Sequence, residues 1–124
     1  MINKFCKHPI WECTTTLSKV AGGFLPAETV IKGANLVNVC THEIQENVDV
    51  AIAMGRIAIV GDCSHCIGEN TVVIDATGKY LAPAFMDGHI HIESSMLAVG
   101  EYAKAVVAHG TSGIFMDPHE ICNV

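Results

Sequence analysis

The chain has 124 residues and a formal net charge of −6, with only seven Lys and Arg in total. So few cations exclude a binder of phosphate backbones, which needs them clustered. Half of the residues are hydrophobic and only 16% are charged, against about 25% in a typical soluble domain, so the chain is either mostly core or part of something larger.

No apolar run approaches the roughly 20 residues of a membrane span. No apolar stretch follows Lys4 and Lys7, so a secretory signal is not expected. Six cysteines without such a signal point to reduced thiols in the cytoplasm.

Residues 1–28 read as an irregular leader holding one short helix, Thr14–Ala21, stopped by Gly22-Gly23. Residues 29–80 read as a small, mainly antiparallel β unit. Thr29–Lys32 and Leu36–Val39 are β-branched runs broken by Gly33. Val48–Ile52 and Ile57–Val60 form a hairpin around Met54-Gly55, and Val72–Ile74 is a further strand before a turn at Ala76-Thr77-Gly78.

Residues 81–124 change period. Leu81–Met86 runs into Asp87-Gly88-His89-Ile90-His91 as one buried strand. Val99–His109 has helical spacing and stops at Gly110. Gly113–Met116 is a second apolar strand, ending in Asp117-Pro118-His119-Glu120. Strand, helix and strand make a βαβ unit with a parallel sheet. Both strands gather polar residues at their C-terminal ends, where barrel and doubly wound enzymes keep their sites. Two parallel strands cannot cover their own faces or edges, so the chain reads as truncated shortly after its main domain begins.

His89 and His91 stand two apart on a strand and therefore point to one side. They can present two imidazoles to one divalent ion, although a catalytic metal needs at least three protein ligands and an open position. Glu93 continues the parity if the strand stays extended, to orient a ligand, transfer a proton or touch substrate. Ser94 and Ser95 read as loop donors or a helix cap. For Asp117, His119 and Glu120, metal contact, substrate contact and support of the ligands are all open, because Pro118 breaks regular pairing.

Cys63-Ser64-His65-Cys66 has no second ligand pair at a structural-zinc spacing and is expected on a surface loop. Deaminases of flipped bases join H-x-E to a later P-C-x-x-C. His91-Ile92-Glu93 matches the first half, but the C-x-x-C lies upstream with no proline before it, which rejects that fold. Phosphate-loop, dinucleotide and serine-hydrolase signatures are absent.

Asp87-Gly-His-Ile-His91 after a proline-containing apolar strand resembles the opening metal motif of the amidohydrolase superfamily. The longer string Asp87-Gly-His-Ile-His-Ile-Glu-Ser-Ser-Met96, with His109-Gly-Thr111 and Asp117-Pro-His-Glu-Ile121, is similar to the bacterial adenine deaminase family over about residues 17–124. The resemblance implies an α/β fold: the start of a (β/α)8 barrel preceded by part of a small β-sandwich-like composite domain.

It also implies a divalent metal, with Mn or Fe favoured and Zn compatible. The reaction implied is adenine and water to hypoxanthine and ammonia through metal-activated hydroxide, in purine salvage. His89 and His91 carry over as ligands, and the other ligands belong to later strands. Glu93 and Glu120 are the candidate catalytic carboxylates. Ser94, Asp117 and His119 are candidates to touch substrate or support the ligands. Partners implied are adenine and, for the full-length form, further copies of itself, with no nucleic acid and no membrane. Alternatives are another amidohydrolase acting on a cyclic amide or aminated ring, and a truncated product without catalysis. Ala84 stands where the family has Gly, and Ser112 and Cys122 where it has Thr and Ala.

Overall fold

Pro9, with φ −62°, precedes the first helix, α1 (Ile10–Ala21), and Glu12 sits in its first turn, where a carboxylate suits the helix dipole. The structure, a computed structural model, describes residues 8–117. Helix α1 begins one turn before the Thr14 start expected from its spacing. Its first turn carries Ile10 and a 75% exposed Trp11, which blurs the amphipathic pattern there. Gly22 and Gly23 end it, with the amide of Gly22 donating to the Ser18 carbonyl at 2.9 Å and that of Gly23 to Val20 at 3.0 Å.

The chain divides into two compact units, Met1–Ala82 and Pro83–Val124. In the first, β1 (Thr29–Asn38), β2 (Glu43–Ala53) and β3 (Arg56–Gly61) form an antiparallel meander. Met54 and Gly55 both have positive φ, 53° and 68°, as a two-residue hairpin of matching twist requires. Helix α1 lies against β2 and β3. Val20, Ala27, Val30, Ala51, Ala53, Cys63 and Cys66 make the core.

The two longest pairings of the unit, β1–β2 and β2–β3, are antiparallel, while β4 (Val72–Asp75) and β5 (Tyr80–Leu81) both pair with β1 in parallel. The connection after β3 crosses over to the far side of β1, giving the order β3-β2-β1-β4. One expectation fails here: the cysteines of the C-x-x-C do not lie at the surface. Cys63 precedes and Cys66 ends a single 3₁₀ turn, Ser64–Cys66, and both are fully buried. The Cys66 thiol donates to the Val20 carbonyl at 3.1 Å. Burial pushes the Cys63 thiol up to about 11, and only the thiolate reacts readily. At pH 8, Cys40, which is exposed, is therefore expected to alkylate well before Cys63 or Cys66, as mass spectrometry of a time course would read. Equal rates would contradict the burial.

Asp49 holds the first unit together at a point the sequence does not advertise. The β1–β2 register slips between Ile31 and Ala34, and Gly33 takes φ +69°. The freed Gly33 amide donates to Asp49 Oδ1 at 2.8 Å. Asp49 Oδ2 accepts from the Cys63 amide at 3.3 Å and from Lys32 Nζ at 3.3 Å. Burial raises the carboxyl's pKa, but the two amides and Lys32 outweigh it and hold Asp49 below its ordinary 3.8.

A lowered folded-state pKa stabilises above the unfolded value, and that contribution is lost as pH falls through the folded value. Asp49→Ala should cost about 2–3 kcal/mol at pH 7, the scale of hydrogen bonds to a charged group. The gap from wild type should narrow below pH 4, as urea unfolding at several pH values would measure. A pH-independent gap would exclude the charge as its source.

In the second unit, β6 (Phe85–Ile90) and β7 (Thr111–Met116) pair in parallel and α2 (Val99–Val107) connects them. The strand begins at Phe85, because Tyr80 and Leu81 pair with β1 in the first unit. It is not buried as expected: Phe85 is 71% exposed and Met86 63%, since a two-stranded sheet leaves its faces uncovered. Ala84 is not among the positive-φ residues, so alanine is unstrained there. The described residues contain no helix long and apolar enough to cross a membrane.

Candidate metal centre

The site forms where β6 ends beside the end of β7. The Asp87 carboxylate accepts from the His89 amide at 3.1 Å, fixing the backbone just before the two histidines. A Cβ on Gly88 would meet nothing within 4 Å, so no neighbour among the described residues demands a glycine there. His91 continues the extended chain, with φ −107° and ψ 97°. The period of two then brings the imidazoles together: their Nε2 atoms stand 3.0 Å apart, with rings perpendicular at 88°.

The protonation pattern follows from one contact. His91 Nδ1 lies 2.6 Å from the main-chain carbonyl of Asp117. A carbonyl only accepts, so Nδ1 carries the proton and donates. In the neutral ring Nε2 then holds a lone pair, to which His89 Nε2–H donates. A divalent cation can replace that shared proton. At metal–nitrogen bonds of about 2.0–2.1 Å, two such nitrogens stand roughly 2.9–3.4 Å apart for angles of roughly 90–110°. The pair therefore fits one ion. Among the described residues no group of three or more His, Cys, Asp or Glu could hold a metal, and a catalytic ion takes at least three protein ligands.

Glu93 reaches the site by a route other than strand parity. The chain turns into a 3₁₀ segment, Ile92–Ser95, in which Ile92 is fully buried. The Glu93 side chain is only 5% exposed, and its Oε1 lies 3.9 Å from His91 Nδ1. Ser94 is exposed, with its amide donating to the His91 carbonyl at 3.2 Å. Ser95 Oγ donates to the Ile92 carbonyl at 2.6 Å, a local loop bond. Asp117 contributes its carbonyl to the site. His119 and Glu120 lie outside the described residues. The role of the Asp117 carbonyl was missed in the sequence. The signal was the parallel pairing itself, since the Asp117 amide donates to Ile90 at 3.3 Å and so sets residue 117 beside His91.

Across its full length the chain is 66% identical over 124 residues to an adenine deaminase of Clostridium botulinum. The chain resembles the N-terminal part of adenine deaminases. An adenine deaminase of Moorella thermoacetica is 58% identical over 118 residues, 95% of the chain, and one of Ruegeria sp. is 52% identical over 118 residues, 94% of the chain. The chain spans about a fifth of the length of these adenine deaminases, 21% of the first and 20% of the other two. No protein-family model matches it.

Solved structures agree on fold. A prolidase complexed with N-methylphosphonate-L-proline has a TM-score of 0.56 at 21% identity, covering 71% of this chain and 25% of that one. A molinate hydrolase has 0.55 at 23% identity, covering 73% and 24%.

Proposed function

We propose that this chain supplies the first part of a metal-dependent adenine deaminase, with Pro83–Val124 opening a (β/α)8 barrel and Met1–Ala82 belonging to a composite β domain. The observation that carries the reading is the pair of Nε2 atoms 3.0 Å apart at the C-terminal end of a parallel strand. The whole-length similarity to adenine deaminases supports the same reading.

His89 and His91 would hold a divalent ion, Mn or Fe by resemblance with Zn compatible. When bound, it would make water a nucleophile at neutral pH and aim it at the ring carbon bearing the amino group. The Asp117 carbonyl, by holding His91 Nδ1, would leave His91 Nε2 available to such an ion. Glu93, shielded and beside His91, is a carboxylate in place to move a proton between the attacking water and the leaving ammonia; Glu120 is the other candidate. Ser94, Asp117 and His119 remain candidates for substrate contact. Adenine is neutral and needs no basic pocket, which suits the acidic chain. A reducing, cytoplasmic setting is part of the proposal. Purine salvage and a homo-oligomeric whole enzyme complete the proposal.

The test is a chimera in which these 124 residues replace the matching segment of the C. botulinum relative. It should release ammonia from adenine and leave hydantoin and dihydropyrimidine intact. In it, Glu93→Gln should lower kcat by about 10²–10⁴-fold, the usual worth of general acid–base help, with its metal content unchanged. Turnover of the cyclic amides instead of adenine would favour the alternative amidohydrolase, and a wild-type rate for Glu93→Gln would make that residue scaffold.

A further inference from the structure

The cluster Asp117-Pro118 offers the site a carboxylate, and a carboxylate near a histidine pair invites a role as ligand or base. The geometry points elsewhere. The contact that reaches His91 comes from the main chain: the Asp117 carbonyl, 2.6 Å from Nδ1. The Asp117 amide, in turn, continues the β6–β7 pairing by donating to the Ile90 carbonyl, so main-chain hydrogen bonds hold residue 117 through both its N–H and its C=O.

The residue that follows is Pro118. A proline restricts its predecessor to extended backbone, because its Cδ clashes with the helical conformation of the residue before it. That restriction narrows the ψ of Asp117 and so narrows the direction of its carbonyl.

We propose that the Asp117-Pro118 step positions the metal ligand through the peptide group. The Asp117 carbonyl, aimed by the proline after it, holds His91 Nδ1–H and thereby makes Nε2 the metal-binding nitrogen, while the Asp117 carboxylate is not needed for this. The inference rests on the reading of His89 and His91 as ligands. Histidine ligands are generally oriented this way by an acceptor on the distal nitrogen; here the acceptor is one that side-chain replacement at 117 leaves in place.

Ring-nitrogen NMR on the 124-residue chain, labelled with ¹⁵N-histidine at pH 8 and assigned with His91→Gln, reads the tautomer directly. Zn(II), which is diamagnetic, is the probe. Wild type and Asp117→Ala should both show His91 as the Nδ1–H form, and Zn(II) should shift Nε2 of His89 and His91 with affinities within about twofold of each other. Pro118→Gly should mix the tautomers and weaken Zn(II) binding by about 10-fold, at the low end for loss of a ligand's supporting contact. Should Pro118→Gly fail to fold, Asp117→Ala decides alone. An Nε2–H tautomer in wild type, its appearance in Asp117→Ala, or Zn(II) on Nδ1 would overturn the proposal. The expected tautomers with no Zn(II) shift on either ring would instead overturn the ligand reading and leave the carbonyl tie standing.

Discussion

His91→Ala in the chimera with the C. botulinum relative is expected to abolish metal loading and adenine turnover together. The substitution removes a nitrogen that stands 3.0 Å from that of His89, and with it the ring that the Asp117 carbonyl orients. A bound metal contributes several kcal/mol of transition-state stabilisation, so losing it costs at least about 10³-fold in kcat. Elemental analysis of the purified protein and ammonia release from adenine measure the two effects separately. Full metal content with a normal rate would show that the imidazole pair is an accident of two polar residues at a strand end. Full metal content with a depressed rate would move His91 from ligand to substrate contact.

The 124-residue polypeptide alone is expected to release no measurable ammonia from adenine, even with Mn(II) or Fe(II) in excess. The end of β6 offers two imidazoles, and the described residues hold no set of three donors, whereas water activation takes three protein ligands and an open position. With two ligands, metal is held weakly and remains mostly hydrated, so the water on it is little more acidic than in solution. Turnover by a monomer of this length would require a complete site within residues 83–124 and would overturn the shared ligand set. The same assay on the chimera supplies the positive control.

What could be read in the chain beforehand was what depends on neighbours in sequence. The shared face of His89 and His91 follows from the period of a strand, and the hairpin at Met54-Gly55 from two positions that accept positive φ. The β6–α2–β7 unit follows from apolar spacing and a glycine stop. What could not be read depends on contacts between distant segments. Glu93 loses its strand parity because the chain leaves the extended conformation at the 3₁₀ segment Ile92–Ser95, which no local spacing announces. Cys63 and Cys66 look polar and loop-like between Asp62 and Gly68, yet the turn carrying them closes over Val20. The parallel placement of β4 depends on a crossover that no local pattern encodes. Asp49 sits in an alternating strand like any outward acid, and only the slipped register at Gly33 gives it an inward task.

The carbonyl that orients His91 has a consequence for how this site tolerates genetic change. A side-chain acceptor is lost by a single codon replacement, whereas every amino acid brings the same peptide oxygen. The orientation of His91 is therefore buffered against mutation at position 117 itself and exposed to mutation at position 118, where the backbone angle is restrained. Drift at 117 can proceed, or the carboxylate there can be recruited for contact with a ligand, without disturbing which nitrogen of His91 faces its partner 3.0 Å away.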